Sequence, residues 1–206
     1  MNLIAMRSRL RAAVRIFGSR KYVGYGPLKY FAKKNALIRV FLRDAPVIET
    51  GTYLGDTSRD FAKLGYEVHT IEISRGLSDA VFPMLKEMGV NCYSGDSAIL
   101  LPQIIQRILG SGANKANFWL DGHWSGGITA RADDYGTPIT KELNSIATFL
   151  PQFKSAVIAI DDVRCFGNDP SYPSKRYLVD WAETHKLHFY FLADIFVATT
   201  EIFSDL

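Results

Sequence analysis

Three aspartates stand at the ends of two apolar runs of the chain. Asp121 closes one run, and Asp161 and Asp162 close another. If the runs are neighbouring parallel strands, three carboxylates meet within a few ångströms and repel one another unless they are protonated or bridged by a cation. Hard oxygen ligands suit Mg²⁺, or alternatively Ca²⁺ or Mn²⁺. The trio therefore predicts a divalent metal site, and the alternative is that one or two of the acids cap helices or pair with a cation such as Arg164.

A second group is the glycine-containing segment 49–58 (ETGTYLGDTS), which is followed by Glu72. Gly51 and Gly55 allow a tight turn and a close backbone approach to a ligand. Glu72 lies 21 residues after Gly51, the spacing at which an acid accepts hydrogen bonds from a ribose diol. Because the segment lacks the glycine run that seats a pyrophosphate, it favours a nucleoside-type ligand over a dinucleotide. The polar residues that can cap the following helix are Asp56, Thr57 and Ser58.

Two further polar clusters close apolar runs. Asp96 and Ser97 follow a glycine at the end of one run, and Ser97 is alternatively a helix cap. His123 stands two positions after Asp121, and an imidazole can take a proton from a hydroxyl. The alternative is that His123 orients a metal ligand or lines a pocket. The irregular stretch 122–137 is long enough to be functional, and we expect its residues 124–135 to close over the site.

The elements that must position these residues follow from the alternation of short apolar runs with helix-like segments. This order predicts a Rossmann-like, doubly wound, mostly parallel seven-stranded sheet with helices on both faces and a C-terminal antiparallel hairpin. Ligands of such a sheet bind beyond the carboxyl ends of the strands, where all the residues above lie. The predicted strands are 47–50, 67–73, 90–94, 116–121, 156–161, 187–192 and 196–202, and the predicted helices are 57–64, 77–88, 98–109 and 139–150.

Charge divides the chain into two parts. Residues 1–43 hold eleven Lys and Arg and no acid, whereas the remainder carries 13 Lys and Arg against 21 Asp and Glu. We interpret residues 1–43 as a basic helical arm and residues 44–206 as one α/β domain. The arm could contact an anionic surface or polymer, and the alternative is a solvated helical cap on the domain.

Composition excludes several other classes of protein. With 206 residues, 48% hydrophobic and 22% charged, the chain suits one globular domain rather than a disordered or membrane-spanning protein. Cys92 and Cys165 lie far apart without a paired-cysteine motif, so neither a disulfide framework nor a structural zinc site is supported. The expected location is a reducing cytoplasm.

Together these segments resemble class I S-adenosylmethionine-dependent methyltransferases, specifically the metal-dependent O-methyltransferases of the catechol and macrocin types. Residues 47–58 resemble the first glycine motif of that family, and Glu72 matches its ribose-binding acid. Residues 95–102 (GDSAILLP) resemble the segment beside the adenine, while 118–121 (FWLD) and 158–167 (IAIDDVRCFG) resemble the two metal-bearing strands. The resemblance makes residues 44–206 a methyltransferase domain.

The resemblance implies S-adenosyl-L-methionine as cofactor, a divalent metal such as Mg²⁺, and a small hydroxylated acceptor such as a sugar, a phenol or a secondary metabolite. Catechol-type enzymes carry a basic lysine shortly after the fourth-strand aspartate, where this chain has His123. We therefore assign catalysis to Asp121 and His123. The metal ligands implied are Asp121, Asp161 and Asp162, and the cofactor-binding residues implied are Glu49, Gly51, Tyr53, Gly55, Thr57, Ser58, Glu72, Asp96, Ser97 and Asp121.

Two other readings stay open at this point. A Rossmann-type NAD(P)-dependent oxidoreductase shares the first half of the fold, although the missing third glycine and the acidic trio argue against it. A non-enzymatic nucleotide-binding module could use its basic arm to hold a nucleic acid or a membrane. No nucleic-acid-binding motif is visible, and association into a homo-oligomer is open.

Overall fold

The computed structural model describes residues 27–122 and 137–202, and side chains from residue 32 onward. Two short 3₁₀ turns, Leu150–Gln152 and Val163–Cys165, flank the fifth strand. The helices are α1 (Pro27–Val40), α2 (Asp56–Lys63), α3 (Arg75–Glu87), α4 (Ser97–Gly110), α5 (Ile139–Phe149) and α6 (Lys175–Thr184). The strands are β1 (Val47–Thr50), β2 (Val68–Glu72), β3 (Asn91–Ser94), β4 (Lys115–Leu120), β5 (Ser155–Ile160), β6 (His188–Leu192) and β7 (Ile195–Thr199).

The strands form one sheet in the order β3-β2-β1-β4-β5-β7-β6. The first five are parallel, and β7 runs antiparallel to both of its neighbours. The strand order reverses between β1 and β4, where Thr50 pairs with Ile71 on one side and with Leu120 on the other. The predicted doubly wound sheet with a terminal hairpin is confirmed, and its ligand crevice is expected at this reversal.

The main difference from the predicted elements is α6, which the sequence analysis missed. The buried face of α6 is Leu178, Trp181 and Ala182, three apolar positions at helical spacing within only ten residues. Such a short pattern is hard to separate from a loop. The hairpin after α6 is also tighter than expected, since its turn is only Ala193 and Asp194, both with positive φ, as in the two-residue turns that match strand twist.

The core lies on both faces of the sheet because successive strand residues point in opposite directions. Phe118 and Leu120 of β4 belong to the apolar cluster under α4, α5 and α6, whereas Trp119 belongs to the cluster that also contains residues of α1, α2 and α3. In α1, Leu37 and Val40 are buried. Residues 36–41 of segment 1–43 therefore pack on the domain, while the division of the segment from the domain at residue 43 and its contact with an anionic partner stay predictions.

In the described ranges, no helix combines the length and the apolar character needed to cross a membrane.

Candidate active site

A turn that only glycine can form ends β1. Gly51 has a φ of +87°, and a Cβ on it would lie 2.4 Å from the carbonyl oxygen of Asp121. The Gly51 amide donates to the carbonyl of Ile71 at 2.9 Å, and Tyr53, two residues later, also has a positive φ. The missing side chain at Gly51 therefore lets the end of β1 rest against the backbone at the end of β4.

Glu72 ends β2 and is aimed at this turn. Its Oε2 accepts a hydrogen bond from the Tyr53 amide at 2.8 Å, and its Oε1 accepts one from the Ser74 amide at 2.8 Å. Burial raises the pKa of the Glu72 carboxyl, and hydrogen bonds from the backbone of residues 73 and 74 oppose the shift. A carboxylate has about four acceptor positions, so Glu72 keeps capacity for a ligand hydroxyl.

The carboxyl of Glu49 is buried and accepts hydrogen bonds from two hydroxyl groups. Its Oε2 accepts from the Thr70 hydroxyl at 2.7 Å and from the Ser58 hydroxyl in a closer contact. Burial raises the pKa of Glu49 to about 8, while these two hydroxyl donors lower it. The predicted cofactor residues Glu49 and Ser58 therefore contact each other, and their direct contact with a cofactor stays a prediction.

The helix caps differ from those expected. The N-cap of α2 is Gly55, whose backbone is left-handed and offers no side-chain cap, so the prediction that Asp56, Thr57 or Ser58 caps this helix is wrong. A Cβ at Gly55 would approach Val81 Cγ1 to 2.8 Å, which explains why the cap position has no side chain.

The helix after β3 is capped by an aspartate. The carboxylate of Asp96 accepts from the Ala98 amide at 2.8 Å, so Asp96 rather than Ser97 caps α4. Ser97 is buried as the first residue of that helix. Both residues lie at the end of β3, as predicted, and their contact with a cofactor is untested.

The three predicted metal ligands converge. One carboxylate oxygen from each of Asp121, Asp161 and Asp162 can be chosen so that all lie within 4.8 Å of one another. Asp161 and Asp162 are buried, and the Asp161 amide donates to the Leu120 carbonyl at 3.0 Å, which joins the ends of β5 and β4. Burial, aided by the carboxylates of Asp121 and Asp162, raises the pKa of Asp161, and Lys33 opposes this shift. As a set of hard oxygen donors, the trio fits a divalent cation.

Two basic side chains already contact this trio. Lys33 Nζ from α1 forms a close ion pair with Asp161, lies 3.0 Å from Asp162 Oδ1, and is 3.8 Å from Asp194 Oδ2. Arg164 pairs closely with both Asp162 and Asp194. The alternative prediction, that an acid of the trio pairs with Arg164, is therefore confirmed for Asp162.

Sequence reasoning missed Lys33 and Asp194. Lys33 is one of eleven basic residues in an acid-free segment, and nothing in the charge pattern distinguishes it from the other ten. The position of Asp194 could have been predicted. Asp194 lies in the hairpin turn just before β7, and β7 runs antiparallel to β5, so this turn lies near the end of β5.

A cleft opens beside the trio, between α1, α2 and β4. Its cavity volume is about 90 Å³. The indole Nε1 of Trp119 is buried with no hydrogen-bond partner among the described residues. The lining residues are Lys33, Lys34, Leu37, Thr57, Asp60, Phe61, Leu64, Trp119, Asp121 and Asp161. The cleft thus joins an apolar wall to the carboxylates of two strand ends, and the predicted site residue Thr57 belongs to its wall.

His123, the predicted base, lies outside the described residues, as does the rest of segment 123–136. Its role as base and the closure of this segment over the site stay predictions.

Neither a family model nor a curated protein matches the sequence, whereas solved structures match the fold over nearly the whole chain. An O-methyltransferase from Bacillus cereus in complex with SAH is 13% identical, with a TM-score of 0.54 over 97% of this chain and 91% of the other. Magnesium protoporphyrin IX methyltransferase from Synechocystis PCC 6803 with bound SAM is 11% identical, with a TM-score of 0.53 over 94% and 92%. A TehB-like SAM-dependent methyltransferase from Corynebacterium glutamicum is 15% identical, with a TM-score of 0.50 over 95% and 94%.

At these identities the likeness concerns the fold and not the reaction. The strand order, the terminal antiparallel pair and the glycine turn at the end of β1 agree with the resemblance drawn from the sequence. The chain therefore has the class I S-adenosylmethionine-dependent methyltransferase fold.

Proposed function

We propose that this protein transfers a methyl group from S-adenosyl-L-methionine to an oxygen of a small hydroxylated acceptor. The observation that carries the proposal is the position of Glu72, whose carboxylate faces the Gly51 turn at the point where the strand order reverses. The acidic trio and the cleft lie at the same edge of the sheet, on the β4 and β5 side. One edge therefore holds a nucleoside-type subsite next to an acceptor subsite.

The residues of the β1 and β2 ends fit the cofactor. Glu72 would accept hydrogen bonds from the ribose hydroxyls through its remaining lone pairs. The Gly51 turn, including Tyr53, would face the methionine part, and Asp96 and Ser97 would lie beside the adenine. Bound S-adenosylmethionine supplies a methyl group on a sulfonium, which is already activated toward an oxygen nucleophile.

The cleft suits an acceptor with an apolar body and hydroxyl groups. Trp119, Phe61 and Leu37 supply apolar surface. Asp121 borders the cleft, where its carboxylate can orient an acceptor hydroxyl, and His123 would take the proton. Positioning of this kind can contribute about 7–11 kcal/mol to lowering a barrier.

Metal assistance is the further part of the proposal. Asp121, Asp161 and Asp162 would hold Mg²⁺, which when bound would lower the pKa of a chelated acceptor hydroxyl. The convergence of the three carboxylates supports this assignment. An oxidoreductase is disfavoured because segment 49–58 lacks the glycine run that seats a dinucleotide pyrophosphate.

The direct test is methyl transfer from S-adenosylmethionine labelled in its methyl group. The purified protein is incubated with sugars, catechols and other phenols in separate reactions, and both labelled product and the demethylated cofactor are measured. We expect equal amounts of the two with at least one acceptor class, and a large loss of both after chelation that added Mg²⁺ restores. Failure to transfer label to any hydroxylated acceptor would contradict O-methylation, and transfer unaffected by the chelator would remove the metal from the proposal.

A further inference from the structure

We propose that Lys33 is the resident cation of the acidic trio, so that the Lys33 ammonium and a divalent metal compete for the same carboxylates. The inference rests on the proposed metal site and adds that metal binding releases the start of α1 from the sheet. Lys33 thus acts as a positioning residue that couples α1 to the metal state of the site.

The geometry makes the two cations mutually exclusive. Lys33 Nζ pairs closely with Asp161 and is 3.0 Å from Asp162 Oδ1, so the ammonium already occupies the space between two of the three proposed ligands. A Mg²⁺ ion binds carboxylate oxygens at about 2.0–2.1 Å. An ion on these two oxygens would stand against the ammonium, and the repulsion between like charges would be strong in a partly buried site.

Neighbouring charges do not relieve this competition. Arg164 shares Asp162 Oδ1 and Asp194 Oδ2 with Lys33. Within the described part of the chain, however, Lys33 is the cation paired with Asp161. The Lys33 side chain is only 14% exposed, so solvent screens the pair weakly. Removing the Lys33 charge therefore leaves Asp161 in need of another cation, and this raises the affinity for a metal.

The consequence for α1 follows from where its anchors lie. Leu37 and Val40 fix the second half of the helix by packing, whereas the earlier turn is tied to the end of β5 by Lys33 and to Asp60 of α2 by Lys34. When a metal displaces Lys33, the early turn loses its tie to the sheet and keeps the tie to α2, while the packed half stays in place. Lys33 and Leu37 also line the cleft, so the metal state of the trio would change the wall that faces the acceptor.

Mn²⁺ titration followed by electron paramagnetic resonance tests the competition without cofactor or acceptor. Lys33→Met keeps the side-chain length and removes the charge. We expect it to bind Mn²⁺ at least tenfold more tightly than wild type, and Lys33→Arg to stay within threefold of wild type. The matched control is Lys34→Met, because Lys34 pairs with Asp60 at 2.7 Å on the next helix and not with the trio. Equal affinity in wild type and Lys33→Met, including no binding to either, would overturn the proposal.

Two further measurements place the ion and test the release of α1. Adding Asp161→Asn to Lys33→Met should abolish the tight site, and its persistence would locate the ion elsewhere and refute the proposal.

Saturating Mn²⁺ should raise hydrogen exchange of the early α1 amides in wild type and leave it unchanged in Lys33→Met. Unaltered exchange in Mn²⁺-saturated wild type would contradict the release. Circular dichroism and thermal unfolding of each variant show that the fold is kept. Since no methyl transfer is measured, failure here is distinct from failure of the proposed reaction.

Discussion

The two halves of the candidate site differ in the groups that satisfy their buried acids. On the β1 and β2 side, Glu49 and Glu72 accept hydrogen bonds from neutral hydroxyls and backbone amides. On the β4 and β5 side, Asp161 and Asp162 are held by charged side chains, one from α1 and one from the turn after β5.

The difference separates a fixed subsite from an exchangeable one. The neutral donors are the backbone amides of Tyr53 and Ser74 and the hydroxyls of Ser58 and Thr70, and they carry no charge for salt to screen. Ammonium and guanidinium groups can be replaced by another cation and are weakened by salt. The half at β1 and β2 is therefore held by neutral donors, whereas the half at β4 and β5 is held by charges that, in the proposed function, a ligand or metal exchanges.

Replacing Gly51 should produce the largest effect, because the fixed half depends on its turn. Gly51→Ala adds a Cβ 2.4 Å from the Asp121 carbonyl oxygen at a φ of +87°. We expect a loss of about 3–4 kcal/mol in the free energy of unfolding, measured by urea denaturation. The matched control is Gly65→Ala, at a φ of +86° with open space around it, which should cost only about 1–2 kcal/mol. Equal losses in both variants would contradict the role of the close approach.

Stability against pH probes the buried acid of the same half. The folded-state pKa of Glu49 is raised from 4.5 to about 8, so the folded protein holds this proton more tightly than the unfolded chain. The resulting stabilisation is complete below pH 4.5 and is lost as the pH rises through about 8. Glu49→Gln mimics the protonated form, and we expect the free energy of unfolding of this variant to fall by about 3–4 kcal/mol less than that of wild type between pH 5 and pH 8. Urea unfolding at each pH measures this, with exposed Glu87→Gln as control; parallel curves for wild type and Glu49→Gln would refute the assignment.

Salt should distinguish the two halves with a smaller effect. Asp194→Asn weakens contacts to Lys33 and Arg164, and we expect a cost of about 1–2 kcal/mol at low salt that shrinks in 1 M NaCl. Thr70→Val removes a neutral donor to Glu49 and should cost about 1–2 kcal/mol at both salt concentrations. Urea unfolding of both variants at 0.05 M and 1 M NaCl checks this, and equal salt dependence would remove the distinction between the halves.

Sequence reasoning reached the parts of the molecule that local patterns encode. The apolar run 156–160 predicted a buried strand. Because the carboxyl ends of parallel strands lie at the same edge of a sheet, Asp161 and Asp162 after this run were predicted to lie near Asp121. Glu72 was placed correctly for the same reason.

The features that it missed are set by contacts between distant segments. Lys33 meets Asp161 across 128 positions of sequence, and only the packing of α1 selects it from eleven basic residues. The N-cap of α2 was also predicted wrongly. A Cβ at Gly55 would lie 2.8 Å from Val81 Cγ1 of the next helix, and this contact between distant segments cannot be read from the local sequence.

Calorimetric titration with the demethylated cofactor, S-adenosylhomocysteine, tests the central claim most directly. We predict binding to wild type at one site per chain and an affinity at least tenfold lower, about 1.4 kcal/mol, for Glu72→Ala. Glu72→Gln, which keeps an acceptor oxygen, should fall between the two, and Glu87→Ala on the exposed face of α3 should bind as wild type does. An absence of binding to wild type, or an unchanged affinity for folded Glu72→Ala, would contradict the assignment of this edge as a cofactor site.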